Sequence, residues 1–165
     1  MSSFTHIDDQ GRVRMVDVTA KESTLRVAIA QAIISMNPDT FEKIEHQTVK
    51  KGNVLETARI AGIIAAKHTS ELIPMCHPLN LTHVAVDFFP DETDSAIRIE
   101  ARVQLVGQTG VEMEALTAVS ISALTIYDMC KSYDKGMRIS DIYLLEKSGG
   151  KSGLYQKTPS SKNKR

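Results

Sequence analysis

One stretch of this chain carries acid and amine groups at spacings suited to chemistry. Between Thr109 and Lys131 the sequence places Glu112 and Glu114 at one end and Asp128 and Lys131 at the other, with no charge from Ala115 to Tyr127. Asp128 and Lys131 stand three apart and therefore share a face if the run is helical. A lysine held beside a carboxylate is equipped for general acid–base work. The plain alternative is a surface ion pair, with a lysine favoured at a helix C-terminus by the dipole. The uncharged residues preceding the pair argue instead for a buried helix that builds a site. Thr109 followed by Glu112 has the capping-box spacing, so the helix is expected to start there. Over such a helix Glu114 and Asp128 lie about 21 Å apart, at roughly 1.5 Å per residue. A small substrate does not span that distance. If both ends serve one site, one end comes from another subunit.

Other groups invite chemistry and have bland readings beside it. Met75-Cys76-His77 sits between Pro74 and Pro78, so the segment is a loop. Loops on rigid scaffolds often carry function, although a cysteine and a histidine there could simply pack. Adding Cys130 to Cys76 and His77 gives three ligands for zinc, but no C-x-x-C or H-x-x-x-H spacing supports a metal, and none is expected. The run Lys147-Ser-Gly-Gly-Lys-Ser-Gly153 contains Gly150-Lys151-Ser152 but has Leu145 where a phosphate loop needs glycine, and no helix follows. A glycine-rich, lysine-bearing segment still presents N–H groups and charge to a phosphate, or is a flexible tail. Arg26, Lys51, Lys67, Lys131 and Lys147 lie at element ends or beside apolar runs. Converging, they suit a polyanion such as a triphosphate; separately, each is an ordinary solvated cation.

The elements that must position these groups read as follows. Residues 1–20 form a loose arm with a short strand from Val13 to Val18. Residues 25–36 fit either an alanine-rich helix or a strand with β-branched positions at 27, 29 and 33. Asn37-Pro38 is the N-cap and first position of a short helix, 38–45. Asn53 caps a helix over 54–69, which is apolar on most sides around Gly62 and is therefore expected to be buried on more than one face. Strands follow at 81–89 and 96–106, the second alternating Ile97, Ile99, Ala101, Val103 and Leu105 with Arg98, Glu100, Arg102 and Gln104. The long helix spans 111–132 and a last strand 137–146. With 25–36 taken as a strand, the order is a split βαββαβ unit. The expected fold is thus α+β and ferredoxin-like, a four-stranded antiparallel sheet with helices on one face. The expected division is a flexible arm over 1–20, a single catalytic domain over 21–149, and a flexible basic tail over 150–165.

Bulk properties narrow the partners. Twenty basic and twenty acidic side chains cancel in 165 residues, so no global field points to nucleic acid or an anionic membrane. The absence of tryptophan and the sparse aromatics argue against a base-stacking platform. The uncharged runs are too short to cross a bilayer. Two cysteines and an N-terminus without an apolar signal segment fit a reduced, cytoplasmic setting.

The blocks Lys51-Gly52 with Thr57–Gly62, Pro74–Leu79, Thr109–Leu116, Tyr127–Lys131 and Lys147–Gly153 closely resemble the cyclic pyranopterin monophosphate synthase family, the C proteins of molybdenum cofactor biosynthesis. The resemblance runs from about His6 to Gly153. It implies a lyase acting on 3',8-cyclo-7,8-dihydroguanosine 5'-triphosphate, supplied by an upstream radical GTP cyclase, to give cyclic pyranopterin monophosphate and diphosphate. It implies a homohexamer, a trimer of dimers with sites at the dimer interface. By position, Asp128 and Lys131 match the catalytic acid–base pair and Lys51 a further catalytic amine. Met75, Cys76 and His77 match one substrate-binding segment, and Met113 with Glu114 the other; Glu112, Lys67, Arg26 and Lys147 stand in second rank. No cofactor is implied, and Mg²⁺ would enter only with the triphosphate. The reading from a different class is a non-catalytic oligomeric nucleotide-binding module, since fold does not fix function.

Overall fold

A computed structural model describes residues 10–151 and 153–158 of the chain. The sheet is built from β1 (Thr24–Ser35), β2 (His83–Asp91), β3 (Ala96–Gly107), β4 (Arg138–Ser148) and β5 (Tyr155–Gln156). Four helices accompany it: α1 (Pro38–Glu45), α2 (Val54–Lys67), the single turn α3 (Thr69–Leu72) and α4 (Glu112–Cys130). The strand order is β2-β3-β1-β4-β5, and every pairing is antiparallel.

The ambiguous segment is the central strand, β1, because each of its edges finds a partner. One face of β1 carries Ala28, Ala30, Ala32 and Ile34, all fully buried under the helices. On β3 the same face carries Ile97, Ile99, Ala101 and Val103, also fully buried, and Arg98, Glu100 and Arg102 alternate to the other side. The alanines keep the middle of the sheet shallow. That lets α4 lie close across β1, β3 and β4 with Ala115, Ala118, Val119, Ser122, Ala123 and Ile126 completely covered.

α2 runs antiparallel to α4, since Ala58 meets Ser122 and Gly62 meets Ala118. Ser122 Oγ donates to the Ala58 carbonyl at 3.0 Å, although that carbonyl already belongs to a helix. A Cβ on Gly62 would collide with Ser122 Oγ and lie 3.0 Å from the Ala118 carbonyl and 3.2 Å from Val86. Helices α1 and α2 are capped as their sequences indicate. Asn37 Oδ1 accepts from Thr40 N at 2.8 Å, and Asn53 Oδ1 from Glu56 N at 3.1 Å.

Four expectations change. The sheet has five strands rather than four, because Tyr155 and Gln156, placed in the tail, pair with Lys147 and Glu146. Pairing satisfies the backbone groups that β4 would otherwise leave at the sheet edge. Lys157 N donates to the Leu145 carbonyl at 2.8 Å, and its ammonium sits 3.6 Å from the centre of the Tyr143 ring. The strand expected over Val13–Val18 shrinks to a bridge at Val13. The helix expected over 54–69 stops at Lys67, and Thr69 begins the separate turn α3. The capping box does not form: α4 starts at Glu112 after Val111, with no side-chain cap. Glu112 turns instead to Lys147, 2.8 Å away, since a full ammonium attracts the carboxylate more strongly than a backbone N–H does.

Gly62→Ala should lower stability by about 1–3 kcal/mol in denaturant titration, overpacking outweighing the helix propensity of alanine. Part of that loss should return in Gly62→Ala/Ser122→Ala; equal loss in both would show that the Ser122 contact is not the obstacle.

Candidate active site

The two ends of α4 carry different chemistry. At its C-terminal end, Lys131 Nζ lies 2.7 Å from Asp128 Oδ1. Lys51, in the turn before α2, donates to the Asp128 carbonyl at 2.8 Å and lies 3.5 Å from Asp128 Oδ2. The antiparallel packing of α2 on α4 brings Lys51 to this position although the two residues are 77 positions apart in sequence. All three side chains are about half exposed, so the cluster faces outward. The hydrogen bond and charge of Lys131, with Lys51 behind it, hold the Asp128 carboxyl below its ordinary range. Asp128 in return raises Lys131. The pair is therefore a carboxylate and an ammonium, one group able to accept a proton and one able to give it.

At the N-terminal end, a cavity of about 540 Å³ is lined by Met75, Cys76, His77, Glu112, Met113, Glu114 and Lys147, among others. That volume is ample for a nucleotide-derived ring system. His77 Nε2 donates to the Val16 carbonyl at 2.9 Å, which fixes its tautomer and ties the N-terminal segment over the cavity. Glu114 is 3% exposed and lies in the first turn of α4. Burial pushes its carboxyl up to about 7, with the nearby charge of Glu112 adding to the effect. Cys76 is raised as well, by burial and then by Glu114, so its thiol is not a ready nucleophile. A carboxyl poised near neutrality in a half-apolar pocket accepts N–H donors as a carboxylate and gives a hydrogen bond as an acid. It suits a donor-rich heterocycle.

A second cavity, about 810 Å³, adjoins the first. Both are bounded by Lys21, Thr109, Gly110, Glu112 and Lys147, so the Glu112–Lys147 ion pair stands on the partition between them. Arg26 lines the larger cavity, its guanidinium donating to the Gly107 and Gln108 carbonyls at 3.3 and 3.4 Å. Lys67 is in the last turn of α2 and lines neither cavity.

The residues singled out in the sequence thus fall into two groups. Met75, Cys76, His77, Glu112, Met113, Glu114 and Lys147 converge around the smaller cavity, and Asp128, Lys131 and Lys51 converge at the far end of α4. A single chain does not unite them. The three ligands considered for zinc are split in the same way: Cys130 is buried at the end of α4 and Cys76 lies in the cavity. Lys21 and Val16 were not foreseen as cavity residues, for Val16 was read only as part of a short strand in the arm and no motif marks Lys21.

Residues 15–150 match the MoaC family. A protein of Desulforapulum autotrophicum, named cyclic pyranopterin monophosphate synthase, is 69% identical over 155 residues, 94% of this chain and 95% of that protein. Proteins of the same name from Desulfatibacillum aliphaticivorans and Syntrophomonas wolfei are 65% and 62% identical. The first covers 94% of this chain and 98% of its own length, the second 92% and 96%.

Glu114 makes stability depend on pH with a definite sign. Its folded value, about 7, lies above the ordinary 4.5, so the folded chain holds a proton that the unfolded chain releases between them. The contribution is complete below pH 4.5 and is lost as pH rises through 7. The total is roughly 3 kcal/mol at about 1.4 kcal/mol per unit. Glu114→Gln should flatten this part of the stability profile; an unchanged slope between pH 5 and 7.5 would assign the titration elsewhere.

Proposed function

The chain belongs to the MoaC family, and from that premise we propose that it is the lyase that converts 3',8-cyclo-7,8-dihydroguanosine 5'-triphosphate to cyclic pyranopterin monophosphate and diphosphate in molybdenum cofactor biosynthesis. The observation that carries this reading is the Lys131–Asp128–Lys51 cluster at one end of α4, paired with a cavity built around Glu114 at the other. The heterocycle sits in the smaller cavity. Glu114 accepts the N–H groups of its guanine-derived edge, and Met75 and Met113 give apolar contact. Lys131 donates a proton during ring opening and rebuilding, Asp128 orients it, and Lys51 offsets charge developing on the substrate. Closure of a ribose-derived oxygen on the inner phosphate breaks the bond to the outer two, and diphosphate leaves with its charge balanced by lysines.

One site of this kind requires two chains, because about 21 Å of helix separates the two groups of residues in each. Two further features support an oligomer. Ile60 and Ile64 on α2 and Leu124 on α4 are more than half exposed in the single chain, forming an apolar surface on the helical side. α2 also has the nearly all-round apolar character of a helix covered on more than one face. The assembly proposed is a homohexamer, a trimer of dimers with sites at the dimer interface, working in the cytoplasm. No helix of the described residues is long and apolar enough to cross a membrane. The reaction uses no resident cofactor, and Mg²⁺ would come with the triphosphate.

Purified protein given the cyclised intermediate should release the pterin monophosphate and diphosphate in equal amounts. Lys131→Ala and Asp128→Ala should each reduce turnover by about 10²–10⁴-fold with unfolding unchanged, as removal of an acid–base group does. Full-length folded protein that forms no product would instead be a nucleotide-binding module. Mixing Glu114→Ala with Lys131→Ala subunits should restore up to about one quarter of wild-type activity, since half of randomly paired dimers would hold one intact site. No recovery in mixtures shown to exchange would exclude a shared site.

A further inference from the structure

Lys51 rides on a tight turn, and the side chain that ties this turn to the end of α4 is a tyrosine with no role so far. Val49 is buried, and the Gly52 N–H donates to its carbonyl at 3.0 Å. Residues 49–52 are therefore a β-turn with Lys51 in third place. Gly52, at φ +102°, lets the chain leave the turn toward the Asn53 cap of α2. Before the turn, Thr48 donates to the Lys43 carbonyl of α1 through its N–H at 2.9 Å and its hydroxyl at 3.4 Å. Both ends of the turn are thus anchored, while Lys50 and Lys51 at its centre are exposed. The central contact is made by Lys50 N, which donates to Tyr133 Oη at 3.2 Å.

Tyr133 is carried by a well-anchored segment. It follows Lys131 by two residues, and its own N–H folds back on the end of α4, donating to the Cys130 carbonyl at 2.8 Å. Asp134 N donates to the same carbonyl at 3.1 Å. The Asp134 carboxylate accepts from Asn37 N at 2.8 Å and from Gly136 N at 2.7 Å, which ties the segment to the start of α1. The Tyr133 ring packs half-buried against the core. One hydrogen bond therefore joins the turn that carries Lys51 to the segment that carries Lys131. Helix packing brings the turn to α4, and this bond sets how the turn is oriented there. The orientation matters because Lys51 reaches the Asp128 carbonyl, at 2.8 Å, on a long flexible stem. Small misplacements of a catalytic group cost rate steeply.

Resting on the roles given above to Lys51, Asp128 and Lys131, we propose that Tyr133 is a positioning residue, its hydroxyl orienting the Lys50-Lys51 turn so that the Lys51 amine is held at Asp128 beside Lys131. Tyr133 touches no reacting atom. It acts through Lys51, by reducing the number of places that amine occupies before substrate arrives.

The test uses Tyr133→Phe in the full-length protein, which keeps the ring and deletes only the hydroxyl. The unfolding midpoint should stay near that of wild type. On the cyclised triphosphate, kcat should fall about tenfold with KM little changed, since Lys51 acts on charge that develops in the transition state. In a Lys51→Ala background the same substitution should cost almost nothing further, because residues acting through one group are not additive. Brief acetic anhydride treatment with mass spectrometry gives a readout independent of turnover. Lys51 should label about threefold faster or more in Tyr133→Phe, as expected when one hydrogen bond no longer restrains it, and Lys67 at the same rate as before. An equal fold-loss in both backgrounds, a loss carried by KM, or unchanged Lys51 labelling would overturn the assignment while leaving wild-type turnover intact. Faster Lys51 labelling in Tyr133→Phe of a protein whose wild type forms no pterin product would sustain the positioning of Lys51 and remove the proposed reaction.

Discussion

The contact between α2 and α4 at Gly62 and Ser122 governs the placement of nearly everything else. Without a side chain on Gly62, the helices approach until Ser122 reaches the Ala58 carbonyl, and the alanines of both helices close the seam. This sets α2 antiparallel to α4 in a definite register. The register places the turn before α2 against the last turn of α4, which is the only reason Lys51 meets Asp128. The same packing holds α4 flat on the shallow alanine floor of β1. Its first turn then faces the cavities and its last turn faces outward.

The electrostatics of the two ends follow from exposure. Asp128, Lys131 and Lys51 are wet, so their mutual effects are local and set by the hydrogen bonds they make with one another. Glu114 has the same type of functional group as Asp128 and behaves in the opposite way, because burial and the charge of Glu112 make its ionised form costly. One helix thus presents an ionised acid–base pair at one end and a carboxyl poised near neutrality at the other. A reaction that must both recognise a heterocycle and move protons on it has use for each, and within one chain they stand at opposite ends of α4.

Glu112 illustrates how a local rule yields to a longer-range one. By spacing it belongs to a capping box with Thr109, yet in the folded chain it bonds to Lys147, which arrives from β4. The dipole of α4 still favours both glutamates in its first turn, so the helix keeps its start without the cap. The partition between the two cavities is built from that exchange of partners.

The sequence by itself determined the period-2 alternation of β3, the asparagine caps of α1 and α2, the length of α4 and the Asp128–Lys131 pair. Each of these depends on residues within a few positions of one another, where backbone geometry fixes who can meet. The blocks that resemble the MoaC family also identified the residues around Glu114, because ordered motifs of that length are specific. Tertiary structure alone decided the rest. It paired Lys51 with Asp128 and Glu112 with Lys147, brought Lys21 to a cavity rim, and recruited Tyr155 and Gln156 as a fifth strand. It also resolved β1, whose composition suits helix and strand alike until β3 and β4 take up its hydrogen bonds. These contacts join residues far apart in the chain, and no local spacing encodes them; they follow from how the two helices pack on the shallow sheet and from which strand edges are left to pair.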